Sequence, residues 1–186
     1  MNKFKYTQRW FIGSELHQNL LKFVNPNAVH KVLEIGCYEG LSSVFLAETL
    51  LNNSQSTLTC VDPFLSINDN DHKQWLTTTE EQNFDYNISV CTNSERIEVN
   101  KVTSDKFFET NTKSYTFIYI DGCHIPDFIT RDMENSFKCL ENNGIMWMDD
   151  YVGIGSVATT MHAFLDKYSG QFTLIHKGYQ LAIRKN

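Results

Sequence analysis

Apolar residues in this chain fall into short runs separated by polar turns, and these runs alternate with stretches of helical spacing. Val32, Leu33 and Ile35 form the first run, which ends in Gly36-x-x-x-Gly40. Leu41, Val44, Phe45 and the pair Leu50–Leu51 then recur on one face of a predicted helix. Residues 56–61 (STLTCV), 97–102 (IEVNKV), 115–120 (YTFIYI) and 145–148 (IMWM) read as further strands, the last two fully apolar and therefore buried on both faces. Between and around them lie helical patterns. Ser14 is placed as the N-cap of a helix over 14–23, which carries Leu16, Leu20 and Leu21 and stops before Pro26. Thr103, Ser104 and Asp105 cap a short helix containing Phe107 and Phe108. Pro126 opens a helix to residue 140, closed by Asn143-Gly144. Residues 66–94 are polar and asparagine-rich, with a helix predicted from about Asp71 to Phe84. They read as a variable insertion suited to a binding loop, although His72 and Trp75 are first of all packing residues. Strand, glycine turn and helix in this order predict an α/β fold entered through a Rossmann-like βαβ unit.

Composition narrows the setting. A hydrophobic share of 41% with 13% aromatics gives 186 residues enough apolar surface for one globular domain, residues 1–186. No apolar run approaches the ~18–20 residues that cross a bilayer, and the N-terminus lacks a signal-peptide core, so a cytoplasmic address is expected. Cys37, Cys60, Cys91, Cys123 and Cys139 show no C-x-x-C spacing, which predicts buried free thiols and neither zinc nor disulfides. A net charge of −6 without a basic cluster speaks against nucleic acid or an anionic membrane as partner. Small-molecule chemistry is the expectation.

The candidate chemistry is acidic. Glu34 and Glu39 flank the glycine loop, where a dinucleotide pyrophosphate would meet negative charge and where the G-x-G-x-x-G spacing is missing. A ligand with a sulfonium and an ammonium beside a ribose fits better, which points to S-adenosylmethionine over NAD. Asp62 ends the second strand 22 residues after Gly40, near the ~20-residue offset at which an acid receives ribose hydroxyls. Parallel strands four and five deliver Asp121, Asp149 and Asp150 to one sheet edge. Three carboxylates so placed repel one another unless a cation or protonation relieves them, and an oxygen-liganded ion such as Mg²⁺ is the simplest resolution.

At these residues the chain resembles the class I S-adenosylmethionine-dependent O-methyltransferases, in particular their metal-dependent catechol and macrocin-sugar branch. Residues 34–42 (EIGCYEGLS) are similar to that branch's cofactor motif. Asp121 and Asp149, 28 positions apart, are similar in spacing to its first two metal ligands; Asp150 matches the third and His124 the general base. Residues 172–175 and 179–184, around Lys177-Gly178, are similar to its closing hairpin. The resemblance implies a central, mostly parallel seven-stranded sheet with helices on both faces and an antiparallel C-terminal β-hairpin. It implies that Glu34, Gly36, Tyr38, Gly40 and Ser42 hold the methionine portion, Asp62 the ribose, and Ser104 and Asp105 the adenine, with Asp121 also at the cofactor. Asp121, Asp149 and Asp150 would bind Mg²⁺, and His124 would take the acceptor proton. The acceptor it implies is a small-molecule hydroxyl, preferably of a sugar or nucleotide-sugar. The alternatives are a catechol-type acceptor or a fold that binds cofactor without turnover. In the N-terminal segment, residues 1–26, Trp10 and Phe11 read as a hydrophobic staple onto the sheet; the other readings are a lid over the substrate and a homodimer contact.

Overall fold

A computed structural model describes residues 3–65 and 78–186. In chain order its elements are α1 (Glu15–Phe23), β1 (Lys31–Ile35), α2 (Leu41–Leu50), β2 (Thr57–Val61), α3 (Thr78–Ser89), β3 (Ile97–Asn100), α4 (Ser104–Thr110), β4 (Tyr115–Ile120), α5 (Pro126–Cys139), β5 (Leu140–Met148), α6 (Gly155–Lys167), β6 (Phe172–Lys177) and β7 (Leu181–Lys185). The strands form one seven-stranded sheet in the order β3-β2-β1-β4-β5-β7-β6. β1 to β5 run parallel; β7 enters antiparallel between β5 and β6. The order reverses beside β1, which makes the carboxyl ends of β1 and β4 the place where loops diverge and a ligand can enter.

Alternation along the strands builds two cores. Val32, Phe117, Tyr119 and Trp147 face α1, α2 and α3 with Leu16, Leu20, Leu46 and Phe84. Leu33, Ile35, Ile118, Met146 and Met148 face the opposite way, against Phe107, Ile129, Met133, Phe137 and Phe164 of α4, α5 and α6. A period of two sends neighbouring residues to opposite faces. Both faces are covered, as a largely parallel sheet requires.

Local chemistry accounts for most ends. Ser14 caps α1, its side chain accepting from the His17 N–H, and Thr103 caps α4 by accepting from Lys106. Three expectations change. The helix predicted over about 71–84 is found from Thr78 to Ser89, and residues 71–77, with His72 and Trp75, lie outside the described residues. α2 is buried on more than one face, with Ser42, Ser43, Val44, Leu46, Ala47 and Leu50 all enclosed and Glu48 left exposed, because α3 and the N-terminal segment cover part of the side away from the sheet. Asn143-Gly144 does not close α5, which ends at Cys139. It shapes an irregularity inside β5, where Leu140 pairs with Tyr115 but Ile145 pairs with Phe117.

Two residues fix the turn after β1. Gly36 has φ +84°, and a Cβ there would stand 1.9 Å from the Asp121 carbonyl oxygen. Glu34 shares its face with Val32, so its side chain runs under the first turn of α2 and not toward the sheet edge. There it accepts hydrogen bonds from the Ser42 and Ser43 hydroxyls and the Cys60 thiol. Burial pushes the Cys37 and Cys60 thiols up, keeping them as protonated donors.

Replacement of Gly36 by alanine is expected to cost more than about 3 kcal/mol in urea unfolding, since both φ and the Asp121 contact oppose a side chain; a loss under about 1 kcal/mol would refute the close approach. Burial raises the Glu34 pKa from 4.5 to about 7, against the lowering effect of the two serines. The folded state therefore binds this proton more tightly than the unfolded one, and stability falls as pH rises from 4.5 through about 7. Glu34→Gln removes the titration, so its stability relative to the parent should improve by about 3 kcal/mol across that window. Parallel pH profiles of the two proteins would count against it.

Candidate functional site

The carboxyl ends of the central strands open into a cavity of about 820 Å³. The residue after each strand continues the ladder: the Gly36 N–H donates to the Val61 carbonyl, Asp121 to Ile35 and Asp149 to Ile120. The turns are thus pinned side by side. Gly36, Cys37 and Tyr38 after β1, Asp62 after β2, Ser104 at the head of α4, Asp121–His124 after β4 and Asp149–Asp150 after β5 all line the cavity. Trp10 to Ser14 cover its other side, with the Trp10 ring stacked on Tyr38 at 5.3 Å and 28°.

Asp62 ties two turns together. Its Oδ2 accepts from the Cys37 and Tyr38 N–H groups at 2.7 and 3.0 Å, and its Oδ1 from Phe64 at 2.7 Å. A carboxylate has about four lone-pair sites, so roughly one remains for a ligand hydroxyl. Burial raises its pKa, and the three N–H donors pull it back.

The acids at β4 and β5 are held by tyrosines. Tyr119 donates its phenol to Asp149 Oδ2 at 2.5 Å and lies 3.1 Å from Asp121 Oδ2, so one proton is shared between two carboxylates. Burial and the adjoining acids push that phenol well above its ordinary value, which keeps it a donor. Asp149 also accepts from the Gln180 side chain at 2.7 Å and from the Asp150 N–H at 2.7 Å. Tyr179 donates to Asp150 Oδ1 at 2.6 Å, and His124 Nε2 stands 2.8 Å from Asp150 Oδ2. Burial, then Asp149 and Asp150, push Asp121 well above the ordinary carboxylate range. One ligand atom each from Asp121, His124 and Asp150 falls within 4.8 Å of the others, a set able to hold a metal ion.

Of the residues singled out in the sequence, Gly36, Tyr38, Ser42, Asp62, Ser104, Asp121, His124, Asp149 and Asp150 are brought together at this cavity. Glu34, Gly40 and Asp105 are not. Glu34 is spent on Ser42 and Ser43; Gly40 begins α2 with φ +79° against Phe84. Asp105 turns to Arg131, 2.9 and 3.1 Å from the guanidinium Nε. The attraction of Glu34 and Glu39 for a cationic ligand fails on the same ground. Glu39 accepts from Thr7 and Asn83, fastening the N-terminal segment and α3 to the loop. Tyr119, Gln180, Tyr179 and Asp132 were missed. Tyr119 was within reach, since two residues before Asp121 it shares a known parity, and Asp132 breaks the apolar stripe Ile129, Met133, Phe137 of α5. Gln180 and Tyr179 carry no local signal, because hairpin register alone brings them here.

A family model described as a methyltransferase domain matches residues 33–151, well over half of the chain and all the turns just described except the N-terminal cover and the closing hairpin. No curated protein sequence matches significantly. Solved structures similar to this fold include the O-methyltransferase TomG from Streptomyces achromogenes, involved in tomaymycin synthesis and determined with SAM (TM-score 0.67, 16% identity, 96% of this chain and 80% of that one). An O-methyltransferase from Bacillus cereus in complex with SAH gives TM-score 0.66 at 15% identity, over 99% and 85% of the chains. An rRNA methylase from Streptococcus thermophilus gives 0.65 at 12%, over 97% and 99%. At these identities the neighbours speak for the fold, a Rossmann-like sheet with antiparallel β5, β7 and β6. The residues of the cavity wall and the matched family model lead to one assignment: the chain belongs to the methyltransferase domain family.

Proposed function

We propose that this protein transfers the methyl group of S-adenosylmethionine to a hydroxyl oxygen of a small molecule, preferably a sugar or nucleotide-sugar, with the help of a divalent cation such as Mg²⁺. The observation that carries the reading is the cavity wall itself. Asp62, Asp121, Asp149 and Asp150 line it, and no lysine or arginine does so among the described residues. Such a wall favours a sulfonium and an ammonium and opposes the phosphates of an RNA acceptor, as does the net charge of −6.

The residues divide the work by position. Gly36 lets the loop backbone approach the ligand, Tyr38 and Ser42 flank the methionine portion, Asp62 offers its remaining acceptor to the ribose, and Ser104 lies toward the base. S-adenosylmethionine supplies an electrophilic methyl carried on sulfur, so the acceptor must be made nucleophilic. A sugar hydroxyl is about as weak an acid as water, pKa ~15.7. In this reading His124 receives its proton. Nε2 stands 2.8 Å from Asp150, so an imidazolium formed on His124 is stabilised by an Asp150 that Tyr179 holds in place. Asp121, Asp149 and Asp150 would hold Mg²⁺, which when bound lowers the pKa of a coordinated hydroxyl and fixes its direction.

The donor set fits a dication: several carboxylates with no lysine or arginine on the wall among the described residues. It also constrains the choice of ion. The closest grouping is Asp121, Asp150 and His124, and an imidazole suits Mn²⁺ or Zn²⁺ better than oxygen-seeking Mg²⁺. Through its Nε2, His124 serves either as ligand or as Asp150's partner, not both.

Asp149→Ala should abolish transfer to a panel of hydroxylated acceptors while S-adenosylhomocysteine binding, measured by calorimetry, stays within about threefold. Unchanged turnover in EDTA would remove the cation from the reading and leave deprotonation to the His124–Asp150 pair alone. His124→Ala should lower kcat by ~10²–10⁴-fold with little change in cofactor affinity. An activity within twofold of the parent would show that His124 is not the base.

A further inference from the structure

The fold brings together a second group of metal-ligating side chains, outside the acid wall formed by β4 and β5. Glu34 of β1 and Cys60 of β2 are partners in register, and their side chains meet on the face of the sheet that α2 covers. Cys37 returns to that face from the turn after β1, its thiol 3.8 Å from the Val61 carbonyl. One ligand atom from each of the three lies within 4.8 Å of the others. All are enclosed, Glu34 at 0%, Cys37 at 2% and Cys60 at 1% exposure. Sequence spacing gives no sign of the group, because Cys37 and Cys60 stand 23 residues apart and strand pairing alone joins them.

Hydrogen bonding is a weak reason for two thiols here. Each Glu34 oxygen already accepts from a serine, Ser42 on Oε1 and Ser43 on Oε2, while Cys60 adds only a contact of 3.7 Å. Burial pushes Glu34 up to about 7 and both thiols above their ordinary values, so the metal-free group resists ionisation. A dication reverses that balance, since a coordinated thiol gives up its proton. We propose that Glu34, Cys37 and Cys60 form a binding site for a thiophilic dication of the Zn²⁺ type, which ties the turn after β1 to β2. Two sulfurs and an oxygen suit such an ion, and thiolates select against Mg²⁺. With metal–sulfur bonds of ~2.3 Å, ligand atoms stand ~3.5–3.8 Å apart, so the three need draw in by about 1 Å. Ser42 and Ser43 hold the carboxylate from outside, as partners of metal ligands do. Cys37 lines the cavity, which is the way in. Asp62 already grips the Cys37 and Tyr38 N–H groups, and the ion would brace the same turn from its other side. The assignment is independent of which ligand the cavity takes.

Titration of the folded full chain with Cd²⁺, in a reductant that carries no thiol, tests the site. Cd²⁺ bound to thiolate gives an ultraviolet charge-transfer band that carboxylate and imidazole ligands do not, so the Asp121–His124–Asp150 group is silent. The parent should develop this band and saturate at about one Cd²⁺ per chain. Cys37→Ser and Cys60→Ser should each diminish the band and weaken Cd²⁺ binding on the order of 100-fold, the share of one ligand in a structural zinc site. Cys123→Ser should keep the band at the parent's affinity, although Cys123 lines the cavity between Asp121 and His124. If the serine variants do not fold, Glu34→Gln decides: it keeps both thiols and removes the charged oxygen ligand, and it should weaken Cd²⁺ binding at least about 10-fold. Absence of the band in the folded parent, parent-like affinity in either serine variant or in Glu34→Gln, or loss of the band in Cys123→Ser would each overturn the proposal.

Discussion

Five carboxylates, those of Asp62, Asp121, Asp132, Asp149 and Asp150, share the wall of a cavity that no lysine or arginine lines among the described residues. Like charges at this density either take up protons or are given fixed donors. The protein does both. Asp62 receives three backbone N–H groups, Asp149 receives Tyr119, Gln180 and an amide, and Asp150 receives Tyr179. Among the described residues Asp121 has only the longer of the two Tyr119 contacts, and its pKa is raised well above the ordinary value by burial and by its neighbours. None of these donors carries a full positive charge unless His124 is protonated. The wall therefore keeps its negative potential, which is what a cationic methyl donor or a metal ion would answer.

The same wall shows what a sequence reader can and cannot see. Strand ends are legible, because apolar runs stop where the sheet stops. Every acid placed one residue after a strand, Asp62, Asp121 and Asp149, lies at the edge where its position put it. Glu34 failed by a single step. One residue before the end of β1, it is still governed by the two-residue alternation, and that alternation directs it under α2. Glu39 failed differently: its carboxylate is used up by Thr7 and Asn83, from segments whose approach no local pattern announces. Proximity in sequence to a glycine loop is thus a weak guide to where a carboxylate points.

Contacts from far along the chain explain the rest. Gln180 is fully buried, and its side chain accepts from the Leu16 N–H and the Trp147 indole while donating to Asp149. Its own N–H reaches Glu15, which also meets His176. The start of α1, the closing hairpin and the acid cluster are consequently one hydrogen-bonded unit. Networks of this kind are rigid when every member is satisfied, and removal of one member is felt by the others. The family match ends at residue 151, yet two of the residues that orient Asp149 and Asp150, Gln180 and Tyr179, come from beyond it.

Backbone strain sits in the same places. Tyr38 and Asp150 are non-glycine residues with φ of 49° and 56°, a left-handed conformation that costs about 1–2 kcal/mol for an L residue. Each strained turn is held by the contacts that manage the charge. The Tyr38 N–H donates to Asp62, and its ring lies under Trp10. The Asp150 N–H donates to Asp149, and its carboxylate takes the Tyr179 phenol. An aspartate in this wall thus has two functions at once, a negative charge toward the cavity and an acceptor that closes a strained turn. Loss of charge with the acceptor kept, as in aspartate to asparagine, and loss of both, as in aspartate to alanine, should differ for Asp62 and Asp149 and converge for Asp121, whose donor is the Tyr119 side chain and not a strained backbone. That difference separates the electrostatic part of the site from its geometry, because only the geometric part changes the shape of the turns after β1 and β5.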